Sequence, residues 1–100
     1  MRQVMVRYRV KPERVAENEE LVRAVYEELR QRDKGGLRYA TFRLDDGVTF
    51  VHVARHEDSE GGNSLTALPA FRRFIENIAD RCDEPPHTSE LREIGSYPAT

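Results

Sequence analysis

One imidazole in this chain stands where it could move a proton near neutral pH. His52 lies in the middle of Val48 to Arg55, a run rich in β-branched and aromatic residues, and a partly buried histidine on a strand is a suitable general base. Tyr8 and Tyr39 lie in two other alternating runs and could orient the oxygen that loses the proton, while Arg43 could stabilise the resulting anion if its head group turned inward. A second reading of His52 is structural: a buried histidine hydrogen-bonded to Thr41 or to a backbone carbonyl. Tyr8, Tyr39, Phe50, Phe71 and Phe74 are either walls of an aromatic ligand pocket or plain core. The other two histidines, His56 and His87, fall in segments read as loops and are expected to be exposed.

Other chemistries lack their residues. The single cysteine, Cys82, has no second thiol for an intrachain disulfide or a C-x-x-C zinc or redox motif, and is read as a packing residue. Glu57-Asp58-Ser59-Glu60 beside Gly61-Gly62 has neither the ligand alternation nor the closing Glu of a calcium loop. The glycine pair has no Lys-Ser/Thr partner and no dinucleotide spacing, so NAD, FAD and ATP are not expected, and no cofactor or metal is assigned. Sixteen basic against eighteen acidic residues give a net charge of −2, which leaves no basic field for nucleic acid or an anionic membrane surface. No apolar run approaches the roughly 20 residues of a membrane span and the N-terminus lacks a secretory pattern, so a cytoplasmic location is expected. One hundred residues are read as a single domain, 1–100.

The elements that must position these side chains are legible in periodicity. Gln3 to Val10 alternates, with Val4, Val6, Tyr8 and Val10 on one face and Met5, Arg7 and Arg9 on the other, as in a half-buried strand. Pro12 and Glu13 open a long amphipathic helix carrying Val15, Leu21, Val22, Val25, Tyr26 and Leu29, which ends by Gly35-Gly36. Leu37 to Leu44 and Val48 to Arg55 form a hairpin across Asp45-Asp46-Gly47. His56 to Asn63 is read as a mobile connection. Leu65, Leu68, Phe71, Phe74, Ile75, Ile78 and Cys82 then form one helical stripe with Pro69 in its first turns. Asp83-Glu84-Pro85-Pro86 is expected to break that helix before a final strand from His87 to Tyr97.

The order β-α-β-β-α-β specifies an α+β, ferredoxin-like fold with two helices on one face of a four-stranded antiparallel sheet. Either tight register at the Asp-Gly turn places odd positions of the second strand opposite even positions of the third, so Tyr39, Thr41 and Arg43 share a face with Phe50, His52 and Ala54. The opposite face collects Ala40, Phe42, Leu44, Val51 and Val53 and is too apolar to be left in water. Two helices cover one face only, and a homodimer through the sheet faces is the expected cover for the other, with Met5, Arg7 and Arg9 joining the interface.

With this order, the sequence resembles the antibiotic biosynthesis monooxygenase (ABM) domain family of the dimeric α/β-barrel superfamily. The likeness lies in Val10-Lys11-Pro12 entering the first helix, Gly36-Leu37-Arg38-Tyr39 entering the second strand, Phe50-Val51-His52-Val53-Ala54-Arg55, and the second-helix stretch Leu65 to Phe74, and covers residues 3–97. It implies two sheets forming a dimeric α/β barrel, and a cofactor-independent monooxygenase that oxidises a small aromatic quinol or phenol with O₂. His52 would deprotonate the substrate, with Tyr8, Tyr39 and Arg43 around it. The histidine often found six residues before the helix-two Phe is Leu65 here. The haem-degrading branch has Asn, Trp and His where this chain has Val6, Ala54 and Ile75, so haem is not implied. The alternative is a non-catalytic dimer of the same fold that binds a small aromatic molecule or serves in stress.

Overall fold

A computed structural model describes residues 2–32, 37–56 and 65–98. Strand β1 (Arg2–Val10) leads through a 3₁₀ turn (Pro12–Arg14) into α1 (Val15–Gln31); β2 (Leu37–Arg43) and β3 (Thr49–His56) follow, then two short helices, α2 (Pro69–Ile75) and α3 (Ile78–Arg81), and β4 (Cys82–Leu91). The sheet order is β2-β3-β1-β4, with every pairing antiparallel, which is the ferredoxin-like arrangement expected from the element order.

The β2–β3 turn sets the register of everything that follows. Asp46 Oδ1 accepts the backbone N–H groups of Val48 and Thr49, both at 2.9 Å, and Oδ2 accepts the Thr49 hydroxyl at 2.5 Å, while Gly47 supplies the positive φ of 80°. These donors hold the Asp46 carboxyl down to about 2. The ladder then pairs Tyr39 with Ala54, Thr41 with His52 and Arg43 with Phe50, so the face predicted from parity is the face observed. β1 continues the rows, with Val6 opposite His52 and Tyr8 opposite Phe50.

Both helical layers lie over this face, and the core between them comprises Tyr8, Val10, Val22, Val25, Phe50, Leu65, Leu68, Ala70, Phe74 and Cys82. Leu65 and Cys82 are packing residues, as expected of them. The other face carries the cross-strand rows Met5–Val53–Ala40 and Arg7–Val51–Phe42, with Phe42 56% exposed.

Several expectations are corrected. The second helical stripe is not one helix: Glu76 is extended and Asn77 is left-handed at φ 60°, so α2 ends at Ile75, which is partly exposed, and α3 starts afresh at Ile78. The final strand begins at Cys82, not His87, and runs through Pro85-Pro86. Two prolines are tolerated because β4 is an edge strand that, among the described residues, pairs only with β1, and the register shifts between Arg7 and Arg9, opposite them. The strand stops at Leu91, leaving Ile94 and Tyr97 exposed beyond it. His56 does not open a loop. It ends β3, opposite Arg2 and Leu37, and its position on the helix side buries it. His87 is exposed as expected, but it is in β4 opposite Arg7. The expected helix stop at Gly35-Gly36 and the 57–63 connection lie outside the described residues.

Candidate active site

Three strands and one helix bring their polar groups together around His52. The imidazole is 4% exposed. Its Nε2 is 2.8 Å from the Tyr8 hydroxyl, and its Nδ1 is 2.5 Å from the Tyr39 hydroxyl and 3.1 Å from Thr41 Oγ1. Thr41 Oγ1 in turn meets the hydroxyl of Tyr26 on α1 at 2.7 Å. Aromatic rings enclose the site: Tyr8 stacks on Phe50 at 5.6 Å, Tyr26 on Tyr39 at 5.3 Å, and the Phe74 ring lies 5.2 Å from the imidazole.

On the side away from Tyr39, the network continues inward. Asn18 of α1, fully buried, donates its amide N–H to the Tyr8 hydroxyl at 3.0 Å, and Arg81 donates from Nε to Asn18 Oδ1 at 3.3 Å. Arg81 also donates to the carbonyls of Glu76, at 3.1 Å, and of Phe74. Those carbonyls lie at the break between α2 and α3, so the guanidinium replaces hydrogen bonds that a continuous helix would have made. Its carbon sits 5.5 Å over the Phe74 ring.

Burial dominates the electrostatics. It pushes the His52 imidazole down to about 4, so the ring is neutral throughout the physiological range and has a lone pair to offer. It pushes the Tyr8 and Tyr39 hydroxyls up, so both remain protonated. The arrangement is therefore a chain of neutral groups that can each give and take a proton, backed by one buried cation. Among the described residues, no group of three or more His, Cys, Asp or Glu is placed to hold a metal ion.

Of the four residues singled out in the sequence, the structure brings together His52, Tyr8 and Tyr39 and leaves Arg43 apart. Arg43 shares their face of the sheet but stands at the end of β2, where its guanidinium binds Glu19 of α1 at 2.7 Å. The hydrogen bond to Thr41 expected of a structural histidine is also present. Asn18, Tyr26 and Arg81 were not anticipated as part of the site. Asn18 and Arg81 had a signal: each is a polar residue at an apolar position of its stripe, Asn18 between Val15 and Val22, and Arg81 three residues after Ile78.

Comparison with known proteins places the chain in context. No curated protein matches it. Among solved structures, it is similar to an antibiotic biosynthesis monooxygenase at 20% identity and TM-score 0.78, covering 95% of this chain and all of that one. It is similar to Rv0793 from Mycobacterium tuberculosis at 18% identity and TM-score 0.77, covering 96% and 97%. It also resembles SnoaB, a cofactor-independent oxygenase from Streptomyces nogalater, at 16% identity and TM-score 0.73, covering 98% and 97%. At these identities the neighbours establish the fold. The model of the antibiotic biosynthesis monooxygenase family matches residues 1–77, with the β1-α1-β2-β3 frame that builds the site and the α2 segment that covers it, and the chain belongs to that family.

Proposed function

We propose that this chain is a cofactor-independent monooxygenase that oxidises a small aromatic quinol or phenol with O₂. The observation that carries this reading is the neutral His52 imidazole held between the Tyr8 and Tyr39 hydroxyls inside a cage of aromatic rings. A phenolic substrate hydrogen-bonds to Tyr39, the less buried of the two tyrosines, and its proton passes through that hydroxyl to His52. The anion gives one electron to O₂, and the substrate radical and superoxide recombine at a ring carbon. The proton held on His52 returns to the peroxide, which loses water to leave a carbonyl. One oxygen atom enters the product, the other leaves as water, and all four electrons come from the substrate.

The test is oxygen uptake by metal-stripped protein offered a panel of hydroquinones and anthrones, with autoxidation subtracted. Protein-dependent uptake is expected, and His52→Ala should reduce it by about 10²- to 10⁴-fold, the usual worth of a general base. One observation favours the rival reading of a small-molecule-binding protein without turnover: both nitrogens of His52 are already engaged within the chain. Absence of uptake across the panel, together with saturable binding of the same aromatics, would establish that rival.

The reading includes a second copy of the chain across the sheet face that carries no helix. Met5, Val51 and Val53 are half-buried there and Phe42 is exposed, an apolar surface flanked by the Arg7 and Arg9 side chains. A two-fold pairing of these faces covers both at once.

A further inference from the structure

The direction of the hydrogen bonds that run from α3 to His52 follows from one residue that cannot accept any. A guanidinium has donors only. Arg81 is 2% exposed and points Nε at the Asn18 side chain, so the atom it meets is Oδ1, and the amide NH₂ must face Tyr8. The Tyr8 oxygen therefore accepts from Asn18. Its own proton, on a residue 1% exposed, has His52 Nε2 as its acceptor at 2.8 Å. Nε2 is then the unprotonated nitrogen of a neutral ring, and the ring proton sits on Nδ1, donated to Tyr39 and at longer reach to Thr41. Reversing the last two bonds would leave the Tyr8 hydroxyl a buried donor without an acceptor.

We propose that Arg81 and Asn18 are positioning residues that, acting through Tyr8, hold His52 in its Nδ1–H form, and that this restricts proton uptake to substrates with acidic hydroxyls. The functional half rests on the oxygenase reading above; the structural half does not. Proton transfer through Tyr39 needs Nδ1 empty and the proton on Nε2, the form that the Arg81–Asn18–Tyr8 chain opposes. A hydroxyl must release its proton readily to drive that reversal, as phenols bearing electron-withdrawing carbonyl groups do.

The groups that bear on His52 are Tyr8 from β1, Tyr39 from β2 and Tyr26 from α1 through Thr41. Arg81 and Cys82 act on Tyr8, and Glu17 acts on Arg81.

Asn18→Asp separates the two forms. A carboxylate of the same shape still accepts from Arg81, but it cannot donate to Tyr8. It accepts the Tyr8 proton instead, and Nε2 is left to take the ring proton. The measurement is ¹⁵N NMR of the imidazole nitrogens at pH 7, assigned through the two ring protons. Wild type is expected to show His52 protonated at Nδ1, Asn18→Asp at Nε2, and Arg81→Lys, which keeps a donor-only cation, at Nδ1. Tyr8→Phe, should Asn18→Asp not fold, is expected to show both forms.

Protonation of wild-type His52 at Nε2, or an Asn18→Asp spectrum unchanged from wild type, would overturn the proposal. With hydroquinones of graded acidity, Asn18→Asp should also move the acid limb of kcat/KM up by about one pH unit, a tenfold change in proton affinity. An unmoved limb would overturn the functional half. Complete absence of turnover would sink the oxygenase reading and leave the NMR result to stand by itself.

Discussion

The two faces of one sheet are finished in opposite ways. On the helix side, the rows through Tyr8, His52 and Thr41 are closed over by α1, α2 and α3, and the polar groups among them are joined to one another. On the other side, Met5, Val51, Val53 and Phe42 form an apolar surface that no part of the described chain covers, and the ion pair of Arg9 with Glu84, at 3.0 Å, sits at its β1–β4 margin. The difference follows from alternation. Each strand sends successive side chains to opposite faces, so a strand rich in apolar residues on both faces needs two covers, and a chain with two helical layers on one side supplies one. The sealed face is where chemistry needing a dry site can be built, and the open face is the one that the proposed second copy would cover.

The largest disruption of the sealed face should come from Arg81→Met. It leaves the carbonyls of Phe74 and Glu76 and the Asn18 side chain without their donor, and a loss of about 3 kcal/mol is expected in denaturant titration, since each buried unsatisfied group costs about 1–3 kcal/mol. A loss under 1 kcal/mol would mean that the break between α2 and α3 is held by something else.

Acid should act as strongly. Folded His52 titrates near 4, against an ordinary 6.5. Between those values the unfolded chain binds a proton that the folded chain refuses. Stability therefore falls as pH drops from about 6.5 toward about 4, by about 3 kcal/mol, and is level above that window as far as this residue is concerned. His52→Gln should remove this slope. Asp46, held down to about 2, contributes only at lower pH, where its turn loosens as the carboxylate is protonated.

The open face is tested by Phe42→Asp, which places a charge where the proposed second copy packs. Sedimentation should show self-association weakened by at least about tenfold, or 1.4 kcal/mol, with His52 unaffected. Wild type that stays monomeric at every concentration would overturn the proposed pairing of this face with its own copy. The smallest effect is expected at the end of β2. Arg43→Ala removes a surface ion pair with Glu19 worth less than about 1 kcal/mol and should leave oxygen uptake within about twofold, because its guanidinium is committed to α1 rather than to His52.

Much of this was legible in the chain itself. The alternation of β1 and the Asp45-Asp46-Gly47 turn specify which side chains share a face, and the meeting of Tyr8, Tyr39, Thr41 and His52 follows from period two and one turn. Local signals did less well where local and tertiary demands conflict. Pro85-Pro86 reads as a break, yet an edge strand with a register shift absorbs both residues. The stripe from Leu65 to Cys82 reads as one helix, yet it breaks at Asn77.

The sequence by itself determined the element order, the facing of the first three strands, the family resemblance and the identity of the central histidine, because these depend on periodicity and short-range turn chemistry. Only the tertiary structure decided that Arg43 turns to Glu19, and that Arg81, 63 positions from Asn18, reaches it through a broken helix to set the direction of the Tyr8–His52 hydrogen bond. Those contacts join elements distant in the chain, and their geometry depends on how the helices pack on the sheet, which no local pattern encodes.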